Sequence, residues 1–126
     1  MKKLLALVAS LAVAVTTFAG EFPDVSVKEV SKLTESKKAV IIDVNGSDSF
    51  KKGRIPGALN FEEIKGDMAK ALPADKNTPI VAYCGGPKCS AYQAAASKAK
   101  DLGYTNVKHM SAGISGWKEA GMKLEK

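Results

Sequence analysis

The chain has only two cysteines, and both lie in one short glycine-containing segment whose residue types suit nucleophilic attack on sulfur or phosphorus centres. The segment consists of Cys84, Gly85, Gly86, Pro87, Lys88 and Cys89. Adjacent glycines let successive backbone N–H groups converge on one point, and the N-terminus of a following helix adds positive potential there. Such a field favours a bound anion and lowers the pKa of a thiol, so that the nucleophilic thiolate forms. The segment therefore predicts a reactive Cys84. The alternative is a buried cysteine at the end of a strand, followed by a tight turn.

Strand-like and helix-like patterns alternate around this segment. Residues 39–44 form a continuous apolar run typical of a buried parallel strand, and shorter strands are predicted at 59–61, 79–83 and 107–110. A capping box at residues 26–29 predicts the start of a helix. Further helices are predicted through residue 50, over 64–72, from 90 to about 102, and around 116–119. This alternation predicts an α/β sandwich with a mostly parallel sheet, in which ligands bind at the carboxyl ends of strands. Cys84 falls at such an end.

The amino terminus has the three-part layout of a secretory signal peptide. Basic residues at Lys2 and Lys3 precede an apolar run over 4–15, and small residues follow near Ala19. A membrane span needs about 20 apolar residues, so this run is short for one. We expect residues 1–20 to be a signal peptide and 21–126 one domain, periplasmic or secreted, with no stable membrane insertion after cleavage. A retained amino-terminal anchor is the alternative.

Net charge and the number of possible metal ligands limit the classes of partner that this chain is expected to bind. The net charge is +6, and removal of Lys2 and Lys3 would leave +4, with the remaining lysines scattered along the chain. A basic surface without a stripe or a recognisable motif favours small anions over nucleic acid. His109 is the only histidine and is expected to be a packed or surface residue. No metal site is expected, because four suitable ligands are lacking. No cofactor is expected either.

Three blocks of sequence, in this order and spacing, resemble a known family. The blocks are residues 41–44 with 50–60, residues 83–90, and residues 103–107 with 113–121. Together they are similar to a single-domain rhodanese, the sulfurtransferase family, over about residues 27–124. The resemblance implies a rhodanese-like three-layer sandwich with helices on both faces of a small, mostly parallel sheet.

The resemblance also implies a chemistry. Cys84 would be the catalytic nucleophile that takes sulfane sulfur from thiosulfate, a polysulfide or a persulfide and passes it to a thiol or to cyanide. The implied partners are small sulfur anions and thiol acceptors, and the implied assembly is a monomer or homodimer. The substrate-binding residues would be Gly85, Gly86, Pro87, Lys88, Cys89, Ser90 and Arg54. Lys88 would add a cation if it turns inward, although an exposed lysine at the tip of the loop is the alternative.

The chain departs from the family pattern at several positions. Pro87 and Cys89 replace the Gly and the Arg that are common at the fourth and sixth loop positions, and Asn45 replaces a common Arg. Arg54 stands where the family usually has His, either near the site or covering the surface at a turn. Because the planar grip of Arg on an oxyanion is missing, persulfide or polysulfide is a better expected donor than thiosulfate. Asp43 is expected to support the site by organising nearby groups.

Other functions stay open at this point. A phosphatase or arsenate reductase would need a longer loop that ends in Arg. A non-catalytic sulfide- or partner-binding module on the same fold is the stronger alternative. Cys89 is a candidate resolving thiol that would attack a persulfide on Cys84, which requires Cα atoms within about 7 Å and a reductant. Otherwise Cys89 begins the helix with its sulfur in the core, inert.

Overall fold

A computed structural model describes residues 22–126 of the chain. The predicted signal peptide, residues 1–20, lies outside the described residues. Among residues 22–126, no helix has the length and the apolar character that crossing a bilayer requires. The elements in chain order are α1 (Val27–Ser36), β1 (Val40–Asp43), α2 (Ser47–Lys52), β2 (Leu59–Asn60), α3 (Phe61–Ile64), α4 (Met68–Ala71), β3 (Ile80–Tyr83), α5 (Tyr92–Asp101), β4 (Val107–His109) and α6 (Gly113–Glu119).

The strands form one sheet of four parallel strands in the order β2-β1-β3-β4. The register aligns Asp43 of β1 with Tyr83 of β3, so these central strands end side by side. The backbone N–H of Val44 donates to the Tyr83 carbonyl at 2.9 Å and extends this alignment one residue further. The carboxyl ends of β1 and β3 therefore open onto the same place, and Cys84 is the first residue beyond β3.

A separate apolar core covers each face of the sheet. On one face, Ile42, Ile80 and Ala82 pack with residues of α4 and α5. On the other face, alternate strand residues pack with Val30 of α1 and Trp117 of α6. The alternation follows from the pleat, which sends successive side chains to opposite faces. The predicted α/β sandwich with helices on both faces is confirmed.

Helix boundaries differ from the predictions where local backbone geometry intervenes. The capping box is confirmed in part, since the Ser26 hydroxyl accepts the Glu29 N–H at 3.1 Å. The helix predicted over 64–72 is wrong as one piece: α3 and α4 are separate, because Asp67 has non-helical angles (φ −151°, ψ 53°). Helix α5 begins at Tyr92, two residues later than predicted, whereas α6 contains the predicted residues 116–119 and begins at Gly113.

A buried hydrogen-bond relay fixes the ends of the central strands. The Tyr83 hydroxyl donates to Asp43 Oδ2 at 2.6 Å and accepts the N–H of Ile55 at 3.1 Å. Both Tyr83 and Asp43 are essentially inaccessible to solvent. Burial, together with the hydrogen bond to Asp43, raises the pKa of Tyr83, so its hydroxyl stays protonated and keeps donating. The other Asp43 oxygen accepts the Asn45 N–H at 2.8 Å. The relay therefore joins β1, β3 and two connecting loops at the edge of the sheet where Cys84 lies.

Candidate active site

Cys84 and Cys89 are joined by a disulfide in this structure, and their Cα atoms are 6.3 Å apart. The residue Cys84 is 3 % exposed, whereas Cys89 is partly exposed and lines a cleft at this edge of the sheet. Cys89 precedes α5 and its sulfur is bonded to Cys84. The structure therefore differs from the alternative in which Cys89 begins the helix with its sulfur inert in the core.

The loop between the two cysteines leaves backbone donors unused. A single turn hydrogen bond closes it, from the Cys89 N–H to the Gly86 carbonyl at 3.1 Å. The N–H groups of Gly85, Gly86 and Lys88 have no acceptor among residues 22–126. Free N–H groups on a glycine loop ahead of a helix are the usual means of holding an anion.

Helix α6 holds the loop in place through backbone hydrogen bonds. The N–H of Ile114 donates to the Cys84 carbonyl at 2.9 Å, and the N–H of Ser115 donates to the Gly85 carbonyl at 3.0 Å. Gly113 makes this approach possible. A Cβ there would lie 2.5 Å from the Gly86 nitrogen and 2.7 Å from the Cys84 carbonyl oxygen, and its φ of +65° also favours glycine.

The cleft beside the loop is positively charged. It has a volume of about 680 Å³, within the range of small-molecule sites. Its lining includes Lys52 of α2, Lys88 of the loop and Lys118 of α6, and no acidic side chain. Three lysines with no acidic side chain in the lining give the cleft a positive electrostatic potential.

Sequence reasoning did not assign the two helices that flank the cleft to the site. The lining contains Ser49 and Lys52 on α2, and Ser115 and Lys118 on α6. Each pair has i,i+3 spacing, which places both side chains on one face of a helix. The Ser-x-x-Lys spacing could not have identified them, because Ser97 and Lys100 of α5 have the same spacing and lie outside the cleft. Asn45, previously noted only as a departure from the family, also lines the cleft.

The predicted binding residues divide into two groups. The residues Gly85, Gly86, Pro87, Lys88 and Cys89 line the cleft, whereas Ser90 and Arg54 do not. The Arg54 guanidinium lies over the Phe50 ring, donates to the Phe50 carbonyl at 3.1 Å and pairs with Glu125 at 3.4 Å. The structure does not bring Arg54 to the cleft.

His109 lies at the end of β4, outside the cleft. Its ring stacks on Tyr92 with centroids 4.2 Å apart, and its Nδ1 is buried without a hydrogen-bond partner in the described part of the chain. Burial lowers the pKa of His109, and Asp24 opposes this effect. The ring is therefore held largely neutral and packed. Within residues 22–126, no group of three or more His, Cys, Asp or Glu side chains is arranged to hold a metal ion.

Comparison with known proteins gives consistent matches. The family model for the rhodanese-like domain matches residues 26–120. YibN of Escherichia coli strain K12 is 33% identical over 113 residues, which cover 85% of this chain and 77% of YibN.

Two proteins named as sulfurtransferases are also similar. The thiosulfate sulfurtransferase GlpE of Shewanella oneidensis is 32% identical over 100 residues, covering 79% of this chain and 95% of GlpE. The structure of the human single-domain sulfurtransferase TSTD1 superposes with a TM-score of 0.61 at 26% identity, covering 77% of this chain and 96% of that one.

The close contact at Gly113 generates a stability prediction. Gly113→Ala should lower the free energy of unfolding by about 3 kcal/mol or more, because the new methyl group must displace the cysteine loop. Gly121→Ala is the matched control: its φ is +77°, yet a Cβ there meets nothing within 4 Å. The control should cost about 1 kcal/mol, from backbone strain alone. Urea unfolding of both oxidised variants measures the difference. Equal losses would show that the loop yields to the methyl group without cost.

Proposed function

The chain belongs to the rhodanese-like domain family, and from that premise we propose that it moves sulfane sulfur to a thiol or to cyanide through a persulfide on Cys84. The donor is thiosulfate, a polysulfide or a persulfide. Named sulfurtransferases among its relatives support the general activity. The finer assignment rests on the residues around Cys84.

One observation carries the proposal: Cys84 directly follows the central strand β3, in a glycine loop whose free N–H groups adjoin a cleft lined by lysines. N–H groups in this position stabilise the Cys84 thiolate, the persulfide and the anionic donor together, because all three carry negative charge. The lysines hold the donor as point charges, in place of the planar grip that Arg supplies.

The transfer takes two displacement steps at sulfur. The Cys84 thiolate attacks the outer sulfur of thiosulfate, a Cys84 S–S bond forms, and sulfite leaves with the electrons of the broken S–S bond. An acceptor thiolate or cyanide then attacks the outer sulfur of the persulfide and restores the Cys84 thiolate. The Cys84–Cys89 disulfide must be reduced before the first step, since a disulfide sulfur is not a nucleophile.

We also propose that the protein is exported, with a mature chain that begins at Gly20 or Glu21. The basic start and short apolar run of the sequence support this location. Amino-terminal sequencing of protein from its native host tests it, and an intact Met1 on a cytoplasmic form would contradict it.

The role of Cys84 is tested by paired cysteine variants. Cys84→Ser should reduce thiocyanate formation from cyanide to background and should abolish the mass gain of one sulfur atom after incubation with donor. Cys89→Ser should keep at least part of the activity, because the nucleophile remains. Full activity in Cys84→Ser would show that another group does the chemistry. Absence of sulfur loading in both reduced wild type and Cys89→Ser would leave a non-catalytic binding module.

The charge of the cleft generates a further prediction. Replacing Lys52 and Lys118 together by Gln should lower kcat/KM for thiosulfate about ten-fold at low ionic strength, because two of the attracting charges are gone. The deficit should shrink as salt is added. Replacing Lys98 and Lys100 together by Gln, at two exposed positions on α5 outside the cleft, removes the same charge; this matched control should leave kcat/KM within about two-fold of wild type. An equal effect at both places would assign the attraction to net charge rather than to the cleft.

A further inference from the structure

Building on the proposed function, we propose that, when no external acceptor is present, Cys89 resolves the Cys84 persulfide, so that the protein reduces sulfane sulfur to sulfide and this turnover ends as the Cys84–Cys89 disulfide. A dithiol then reopens the disulfide from the cleft, by attack on Cys89.

The disulfide shows which sulfur Cys89 can reach. A persulfide on Cys84 has an inner sulfur, the Sγ of the cysteine, and an outer sulfur received from the donor. Attack on the outer sulfur would only move it to Cys89, whereas attack on the inner sulfur expels it as hydrosulfide. The structure joins Cys89 Sγ to Cys84 Sγ, with Cα atoms 6.3 Å apart in the ordinary range for disulfides. The loop therefore brings Cys89 to the inner sulfur.

The step balances in atoms and electrons. The Cys89 thiolate forms a bond to Cys84 Sγ, the Sγ–S bond of the persulfide breaks, and its electron pair leaves with the outer sulfur, which takes a proton and departs as hydrosulfide. The two cysteine sulfurs are together oxidised by two electrons, and the sulfane sulfur is reduced to sulfide by the same two. With thiosulfate as donor, one turnover releases sulfite in the first step and sulfide in the second.

The exposure of the two cysteines determines which sulfur of the disulfide an incoming thiolate attacks. While the disulfide is in place, Cys84 is 3 % exposed and does not line the cleft, whereas Cys89 is partly exposed and does. An incoming thiolate therefore meets Cys89 and makes a mixed disulfide there. Cys84 is the leaving group, and a thiol that leaves as a stabilised thiolate leaves faster. The second thiol of a dithiol then frees Cys89.

A single-turnover experiment tests the resolving step. Wild type and Cys89→Ser are reduced, freed of reductant, and incubated with thiosulfate without oxygen. Sulfide is then measured, and the alkylated proteins are mapped by non-reducing mass spectrometry. Wild type should release one equivalent of sulfide and lose two hydrogens as the disulfide forms. Cys89→Ser should hold one added sulfur on Cys84 and release sulfide at least ten-fold more slowly, which corresponds to an activation free energy higher by about 1.4 kcal/mol or more. A donor-free sample controls for oxidation.

Each alternative result has a distinct meaning. A persistent Cys84 persulfide in wild type, with Cys89 still alkylatable, would overturn the resolving role and leave the sulfurtransferase proposal standing. If thiosulfate loads neither protein, polysulfide replaces it and mass is the readout. Failure of both donors to load Cys89→Ser would overturn the proposed function and this inference together. To test how the disulfide is reduced, the oxidised protein is treated with limiting glutathione and quenched with acid, which should yield a mixed disulfide on Cys89. A mixed disulfide found on Cys84 would overturn the proposed attack on Cys89.

Discussion

The Tyr83 hydroxyl sits between the Ile55 N–H and the Asp43 carboxylate, and the rest of the site depends on that position. A buried carboxylate is costly unless its oxygens receive hydrogen bonds, so Asp43 requires both Tyr83 and the turn at Asn45. The requirement fixes where β1 and β3 end and how the chain leaves β1. Asn45 is thereby placed beside Gly85, where a Cβ would lie 3.7 Å from the amide oxygen. The position of the cysteine loop therefore depends on the buried hydrogen bond between Tyr83 and Asp43.

Two helices, α2 and α6, complete the site around these buried hydrogen bonds. Helix α2 follows the Asn45 turn, and α6 packs its first turn under the loop through Gly113. Each presents a serine and a lysine three residues apart to the cleft. Positive charge is thus supplied by side chains of separate elements, and the cysteine loop itself carries only Lys88. This division accounts for how the chain can have a cysteine where the family commonly has an arginine and still keep a cationic site.

The sequence predicted the parallel sheet and the place of Cys84, because apolar runs and glycines act locally. It did not predict the break between α3 and α4 at Asp67, since the apolar spacing of Ile64, Met68 and Leu72 continues across it. Nor did it place Arg54, whose partner Glu125 lies 71 residues away along the chain. Lys52 and Lys118 of the cleft were equally missed, because their convergence depends on how two helices pack. Contacts between residues that are far apart in the sequence were therefore the features that local sequence patterns could not predict.

The disulfide closes a very short ring, with the cysteines five positions apart. A ring of this size restricts the unfolded chain less than a long one does, which stabilises the fold by about 2 kcal/mol in the chain-entropy account, and neither cysteine belongs to the apolar core on either face of the sheet. The bond therefore stabilises at the low end of the usual range for disulfides, and in the proposed cycle it stores two oxidising equivalents. In the proposed cycle the domain passes between dithiol and disulfide, and its oxidation state follows the supply of the sulfur donor and of the reducing dithiol.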